Sequence, residues 1–217
     1  MMNVSHPQNG FTNTLIELAP GIDLYPQFFE LQAQKTLVDL VRDIVRQAPL
    51  FQPTMPKTGK AFSVKMSNCG SLGWVADKTG YRYQANHPTT AKPWPPIPQM
   101  LDDVWTKLTS NEAGKAQACL INYYDPSAKM GLHQDRDEQN LQAPVVSISL
   151  GDDCRFRIGG LTRSGPTQSL TLHSGDVLVL GGENRLAFHG VERIYPGTST
   201  LLSAPGRINL TLRRVTG

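Results

Sequence analysis

Arg207-Ile208-Asn209-Leu210-Thr211-Leu212-Arg213 alternates strictly between polar and aliphatic side chains. Side chains on a strand point to opposite faces in turn, so Arg207, Asn209, Thr211 and Arg213 share one face and Ile208, Leu210 and Leu212 the other. Working back from this strand, runs of similar length occur at 186–191, 177–180, 168–172, 154–158, 145–150, 130–135 and 118–124. Gly, Pro and Asp turns separate them. Eight short strands in succession predict a double-sheet jelly roll over residues 117–217, a fold whose interior can house a site.

Upstream the texture changes. Leu37, Leu40, Val41, Ile44, Val45 and Ala48 recur at helical spacing and Pro49 ends the run, which predicts an amphipathic helix over about residues 30–48. Leu101, Val104, Trp105 and Leu108 mark a second helix after Pro98. Between the two, residues 50–98 are punctuated by Gly and Pro and carry scattered aromatics, a composition suited to strands and loops that form a lid. The expected architecture is mainly β with flanking helices (α+β). It is a single domain over 1–217: an N-terminal strand and helix (1–49), the lid (50–98) and the jelly-roll core (117–217).

The whole chain excludes several classes. At 217 residues with 39% hydrophobic and 18% charged content it can bury a core. Residues 1–14 are polar and no later stretch is apolar enough to span a bilayer, so a cytoplasmic protein that does not engage a membrane is expected. Cys69, Cys119 and Cys154 lie far apart without a C-x-x-C step, which fits reduced structural thiols. The net charge is +3, but residues 155–217 carry eight Arg and no Lys against three acids. That asymmetry is compatible with an anionic ligand or a nucleic acid.

The chemistry lies in His133-Gln134-Asp135 and His189. Two imidazoles and one carboxylate are the set that holds a non-haem Fe(II) on one face, leaving other positions open. Alternation along a strand points His133 and Asp135 the same way. An H-x-D step alone is weak, because such steps arise by chance on solvated turns. The strand with Arg207 and Arg213 strengthens it, since two guanidiniums on one face suit a small dicarboxylate. A plain strand with its polar face in water is the alternative.

With these residues in hand, the chain resembles the AlkB family of Fe(II)- and 2-oxoglutarate-dependent dioxygenases, especially its bacterial DNA-repair members. The likeness runs through Asn68-Cys69-Gly70, Leu72-Gly73-Trp74, Lys92-Pro93-Trp94-Pro95, Ala118-Cys119-Leu120-Ile121-Asn122, His133-Gln134-Asp135, Gly159-Gly160-Leu161 and the Arg207–Arg213 strand. It implies a double-stranded β-helix, the jelly-roll variant of that superfamily, with a nucleotide-recognition lid. The implied metal ligands and catalytic residues are His133, Asp135 and His189. Arg207 and Arg213 would clamp 2-oxoglutarate, with Asn122, Tyr124 and Asn209 adding hydrogen bonds; O2 is the other co-substrate.

The resemblance also implies oxidative demethylation of 1-methyladenine and 3-methylcytosine in single- or double-stranded DNA, and in RNA; a monomer without an obligate protein partner is adequate for that mechanism. A flipped base would stack on Trp74 with the His133 ring opposite, and Asp137, on the strand face of Asp135 if the strand persists, would favour the cationic lesion. Tyr81 and Arg163 would contact the nucleotide or its phosphates. Tyr123 and Gly131 depart from the bacterial pattern, which bears on substrate preference rather than on iron. His6, His87 and His173 are assigned no role.

Two other readings compete. One keeps iron and 2-oxoglutarate but hydroxylates a modified tRNA, a protein or a small molecule. The other is a cupin-like protein that holds metal without turnover, or a lesion-binding module; retention of all three ligands and both arginines argues against it, since binding alone needs no open coordination face and no co-substrate clamp.

Overall fold

The structure is a computed structural model that describes residues 14–110 and 113–217. The first 13 residues of the expected N-terminal unit, His6 among them, lie outside the described residues. In chain order the elements are β1 (Ile16–Ala19), β2 (Ile22–Tyr25), α1 (Leu31–Gln47), β3 (Lys65–Gly70), β4 (Gly73–Asp77), β5 (Gly80–Gln84) and α2 (Gln99–Leu108). The eight core strands follow: β6 (Ala118–Tyr124), β7 (Met130–His133), β8 (Val145–Gly151), β9 (Cys154–Gly159), β10 (Thr167–Leu172), β11 (Val177–Leu180), β12 (His189–Ile194) and β13 (Arg207–Arg213).

All strand pairings are antiparallel. A seven-stranded sheet runs β1-β2-β11-β8-β13-β6-β3, a four-stranded sheet runs β10-β9-β12-β7, and β4-β5 form a separate hairpin. The eight predicted core strands therefore split four and four between two sheets, as a jelly roll requires. β3, from within residues 50–98, extends the larger sheet beside β6.

The core has two layers, and β13 divides them. Ile208, Leu210 and Leu212 pack with Val146, Ile148, Leu37, Val41, Ile44, Leu101 and Trp105, so the aliphatic face of the strand is covered by the helices. Burying each such aliphatic side chain contributes about 1.5–3 kcal/mol. A second cluster, with Leu120, Val145, Phe156, Leu178 and Leu180, lies between the sheets. The polar face of β13 thus looks into the barrel. Arg207, Thr211 and Arg213 are buried, not solvated as an ordinary edge of polar residues would be.

Two of the strand boundaries that differ from expectation bear on the site. β7 stops at His133 rather than reaching residue 135, and β12 begins at His189 rather than at residue 186. Both ends are unravelled by side chains that take the ladder's hydrogen-bonding groups: Gln134 Nε2 donates to the Leu186 carbonyl (2.7 Å) and Arg185 Nη1 donates to the Asp135 carbonyl (2.6 Å). Strand alternation therefore does not place Asp135 or Asp137; the loop 134–138 does.

Candidate active site

His133 and His189 are direct partners across β7 and β12, which brings their rings to 4.5 Å between centroids. Gly190 permits this approach: a Cβ there would lie 2.5 Å from the Met130 carbonyl oxygen. Each ring is oriented by its own strand. His133 Nδ1 lies 3.0 Å from the Gly131 carbonyl and His189 Nδ1 2.9 Å from the Ala187 carbonyl. A carbonyl only accepts, so Nδ1 carries the proton in both and each Nε2 presents its lone pair.

Those lone pairs converge on Asp135. Its carboxylate oxygens lie 3.8 Å from His133 Nε2 and 4.0 Å from His189 Nε2, and the three ligand atoms fall within 4.8 Å of one another. Nitrogen and oxygen ligands bind a divalent transition metal at about 2 Å, so a small closure brings all three onto one ion. Charge is already arranged for a cation. Burial alone would raise the Asp135 carboxyl, but the Arg213 guanidinium and both imidazoles outweigh it and hold the group well below the usual carboxylate range. Burial, reinforced by the neighbouring His133, lowers His189 to about 4, which keeps it neutral and able to ligate.

The triad opens onto a cavity of about 510 Å³. Asn122 and Tyr124 of β6, Arg207, Asn209, Thr211 and Arg213 of β13, and Trp74, Tyr81, Asp137 and Arg163 all line it. Every residue named from the sequence as a site residue is thus on one cavity. β13 lies between β6 and β8, with Asn209 opposite Asn122 on one side and Ser149 on the other. Arg207 Nη2 takes Ser149 Oγ (2.5 Å) and Nη1 the Asp152 carbonyl (3.2 Å), which fixes a guanidinium that is 1% exposed. Burial raises the Tyr124 phenol and keeps it protonated, a donor.

Among the described residues, three buried side-chain polar atoms lack a hydrogen-bond partner: Asn122 Oδ1, Arg207 Nε and Arg213 Nε. Arg213 Nε does lie 3.4 Å from Glu138, as an ion pair without good alignment. All three residues face the cavity. Orphaned buried groups are costly, about 1–3 kcal/mol each, and the unpaired Arg207 nitrogen on the wall beside a cation-ready triad fits an anionic, carboxylate-bearing ligand. Iron and a small dicarboxylate therefore suit the residues present.

At the mouth stands the β4–β5 hairpin. Asn68 clamps Trp74 from both sides, accepting from its backbone N–H (3.0 Å) and donating to its carbonyl (3.1 Å). Trp74 Nε1 donates to Asp137 Oδ2 (2.8 Å), so that carboxylate does lie beside the indole, although by way of the loop. Tyr81 stacks on Trp74 with centroids 5.7 Å apart and planes 16° from parallel, while itself half exposed. Of the two departures, Gly131 leaves open space near His133, whereas Tyr123 packs away from the cavity, against the helix layer. Tyr123 is thus too remote from the cavity to touch a substrate there.

Among the lining or supporting residues that sequence reasoning missed are Tyr83, Glu138, Ser149 and Arg185. Glu138 accepts from Tyr83 OH and from Arg185 Nη2 (3.2 Å), and both charged groups are buried. Asp135-Arg136-Asp137-Glu138 reads as a charged turn, and only its burial reveals otherwise. His87 is structural, its ring bridging the Pro49 carbonyl and the Thr89 and Thr90 amides; His173 pairs with Asp153 at the surface. The three cysteines are free and buried.

Residues 21–213 match the 2OG-Fe(II) oxygenase superfamily. The chain is 51% identical to "Alpha-ketoglutarate-dependent dioxygenase AlkB homolog" of Caulobacter vibrioides over 199 residues, covering 92% of this chain and 90% of that one. It is 42% identical to "Alpha-ketoglutarate-dependent dioxygenase AlkB" of Escherichia coli K12 over 190 residues, covering 86% and 87%. The solved structure titled "The structure of OsALKBH1" superimposes with a TM-score of 0.78 at 30% identity, covering 93% of this chain and all of that one.

Proposed function

The chain belongs to the AlkB-type dioxygenases of the 2OG-Fe(II) oxygenase superfamily, and on that premise we propose that it is an oxidative demethylase of 1-methyladenine and 3-methylcytosine in DNA. RNA is a second substrate class for the same pocket; one curated relative, of Schizosaccharomyces pombe, is named a tRNA demethylase. The observation that carries the reading is the single cavity that joins the triad, the buried arginine strand and the aromatic hairpin.

With iron and 2-oxoglutarate bound, dioxygen-driven decarboxylation to succinate and CO2 supplies the oxidant that hydroxylates an N-methyl carbon, and the resulting hemiaminal releases formaldehyde and free base. His133, Asp135 and His189 would hold the metal. Arg207, buried and fixed by Ser149 and Asp152, would take one carboxylate of the co-substrate through its free Nε edge, and Arg213 would add charge at the metal end. Asn122, Tyr124 and Asn209 would supply neutral hydrogen bonds on the same wall. The apolar residues lining the cavity, Leu120, Val145 and Leu178, exclude water from the reacting centre.

For the base, Trp74, Tyr81 and the His133 ring offer stacking surfaces at the mouth, and Asp137 offers a carboxylate to a cationic lesion. A lesion that cannot pair is cheaper to flip than a normal base, which adds selectivity. Arg163, exposed on the loop between β9 and β10, would contact phosphate and position the strand without reading sequence. One copy of the chain is adequate for this chemistry, and no described helix is long and apolar enough to cross a membrane.

The test is mass spectrometry of a single-stranded oligonucleotide carrying one 1-methyladenine, incubated with protein, Fe(II), 2-oxoglutarate and air. Chelator-sensitive loss of the methyl group is expected. An untouched oligonucleotide with continuing succinate release would move the assignment to hydroxylation of another substrate.

A further inference from the structure

Tyr83 takes no part in the chemistry above, yet it joins the hairpin to the metal-side loop. It lies directly opposite Trp74 across β4 and β5, and opposed residues on a hairpin present their side chains to the same face. Trp74 reaches Asp137, and Tyr83 donates its hydroxyl hydrogen to Glu138 Oε1, so the hairpin is tied to the loop 134–138 at two successive carboxylates. Arg213 Nη1 closes a triangle by donating to the Tyr83 oxygen (3.1 Å).

From there the contacts lead straight to the metal ligand. Arg213 Nη2 lies 2.8 Å from Asp135 Oδ2, and its Nε lies 3.4 Å from Glu138. Arg185 holds Glu138 with one nitrogen and the Asp135 carbonyl with another. The side chains of Glu138, Arg185, Arg213 and Asp135 are each no more than 7% exposed, so two carboxylates and two guanidiniums form a buried, charge-balanced group. In such a group the geometry of one member fixes that of the others, because a misaligned buried charge is costly.

We propose that Tyr83 is a positioning residue that couples seating of the hairpin to the orientation of the Asp135 carboxylate, and so links metal affinity to occupancy of the base pocket. The proposal rests on the assignment of Asp135 as a metal ligand. Coupling of two binding events is reciprocal, so a base that seats the hairpin tightens the metal, and the metal tightens the base. Phenylalanine at position 83 keeps the ring and removes only the hydroxyl tie.

The test is an anaerobic Co(II) titration of the full chain with 2-oxoglutarate, followed by visible absorption, with and without a single-stranded 1-methyladenine oligonucleotide. Wild type should bind Co(II) more tightly when the oligonucleotide is present. Tyr83→Phe should bind Co(II) about 10–100-fold more weakly, the usual loss for an outer partner of a metal ligand, with an altered absorption band and no response to the oligonucleotide. Glu138→Gln should show the same loss, and Tyr83→Phe/Glu138→Gln should be no weaker than the weaker single variant. Unchanged Co(II) affinity and an unchanged oligonucleotide response in Tyr83→Phe, or strictly additive losses in the double variant, would overturn the coupling. Failure of wild type and Asp135→Ala to differ in Co(II) binding would overturn the ligand assignment itself.

Discussion

The two walls of the cavity are built by different physics. The β6–β13–β8 wall is a backbone ladder in regular register, and its functional side chains, Asn122, Tyr124, Arg207, Asn209 and Arg213, follow from period-2 alternation. The opposite wall, the loop 134–138 under the β4–β5 hairpin, has no ladder. The loop's own residues are placed by side-chain contacts, from Trp74 to Asp137, from Tyr83 to Glu138 and from Arg185 to the Asp135 carbonyl. The ladder wall suits a co-substrate that is the same in every turnover. A wall held by side chains can reseat around bases of different shape.

The contrast makes graded predictions. Asp135→Ala removes a proposed metal ligand and the partner of Arg213, so turnover should fall below detection and chelator should no longer change the melting temperature; activity assays and thermal melts in the presence of Fe(II) check both. Arg207→Met removes a buried cation carried by the ladder wall and touching neither the loop 134–138 nor the hairpin. The Michaelis constant for 2-oxoglutarate should rise by about 10–150-fold while oligonucleotide affinity stays within about twofold, since a charge-assisted contact to a carboxylate carries about 1.5–3 kcal/mol.

Glu138→Ala leaves the buried Arg185 without a carboxylate and Arg213 with Asp135 alone, and loss of one partner from a buried ion pair costs about 3–5 kcal/mol. Urea denaturation should show a loss of that order with an unchanged slope. Trp74→Ala should weaken binding of the methylated oligonucleotide by about 10–100-fold, the worth of one stacked base, and leave 2-oxoglutarate affinity intact in a calorimetric titration. The smallest effect is expected for Arg163→Ala. As an exposed phosphate contact it should lower affinity equally for oligonucleotides of different sequence and reduce the slope of affinity against salt by about one.

The same contrast explains what could be read from the sequence. The ladder wall was legible because alternation is a backbone property, and the helix layer was legible because Leu37, Val41 and Ile44 repeat with the helix. His133 and His189 were found as residue types, and their pairing across β7 and β12 followed from the fold. Asp135 and Asp137 line the cavity, although not through strand alternation, since the strand ends at His133 and Arg185 and Gln134 divert the chain. Tyr83, Glu138 and Arg185 were invisible, because a charged turn and an Arg after a Gly-rich turn look solvated until tertiary packing buries them together. Stacking of Tyr81 on Trp74 was likewise a diagonal contact of the hairpin, set by a register that local sequence does not state.

The separation of the two walls is tested most directly by a crossed binding measurement under anaerobic conditions with Mn(II) in place of iron. Affinities for 2-oxoglutarate and for the 1-methyladenine oligonucleotide are measured on Arg207→Met and on Trp74→Ala. The account predicts that Arg207→Met loses the co-substrate and keeps the oligonucleotide, and that Trp74→Ala does the reverse. Equal loss of both ligands in both variants would contradict it and make the cavity a single undivided site.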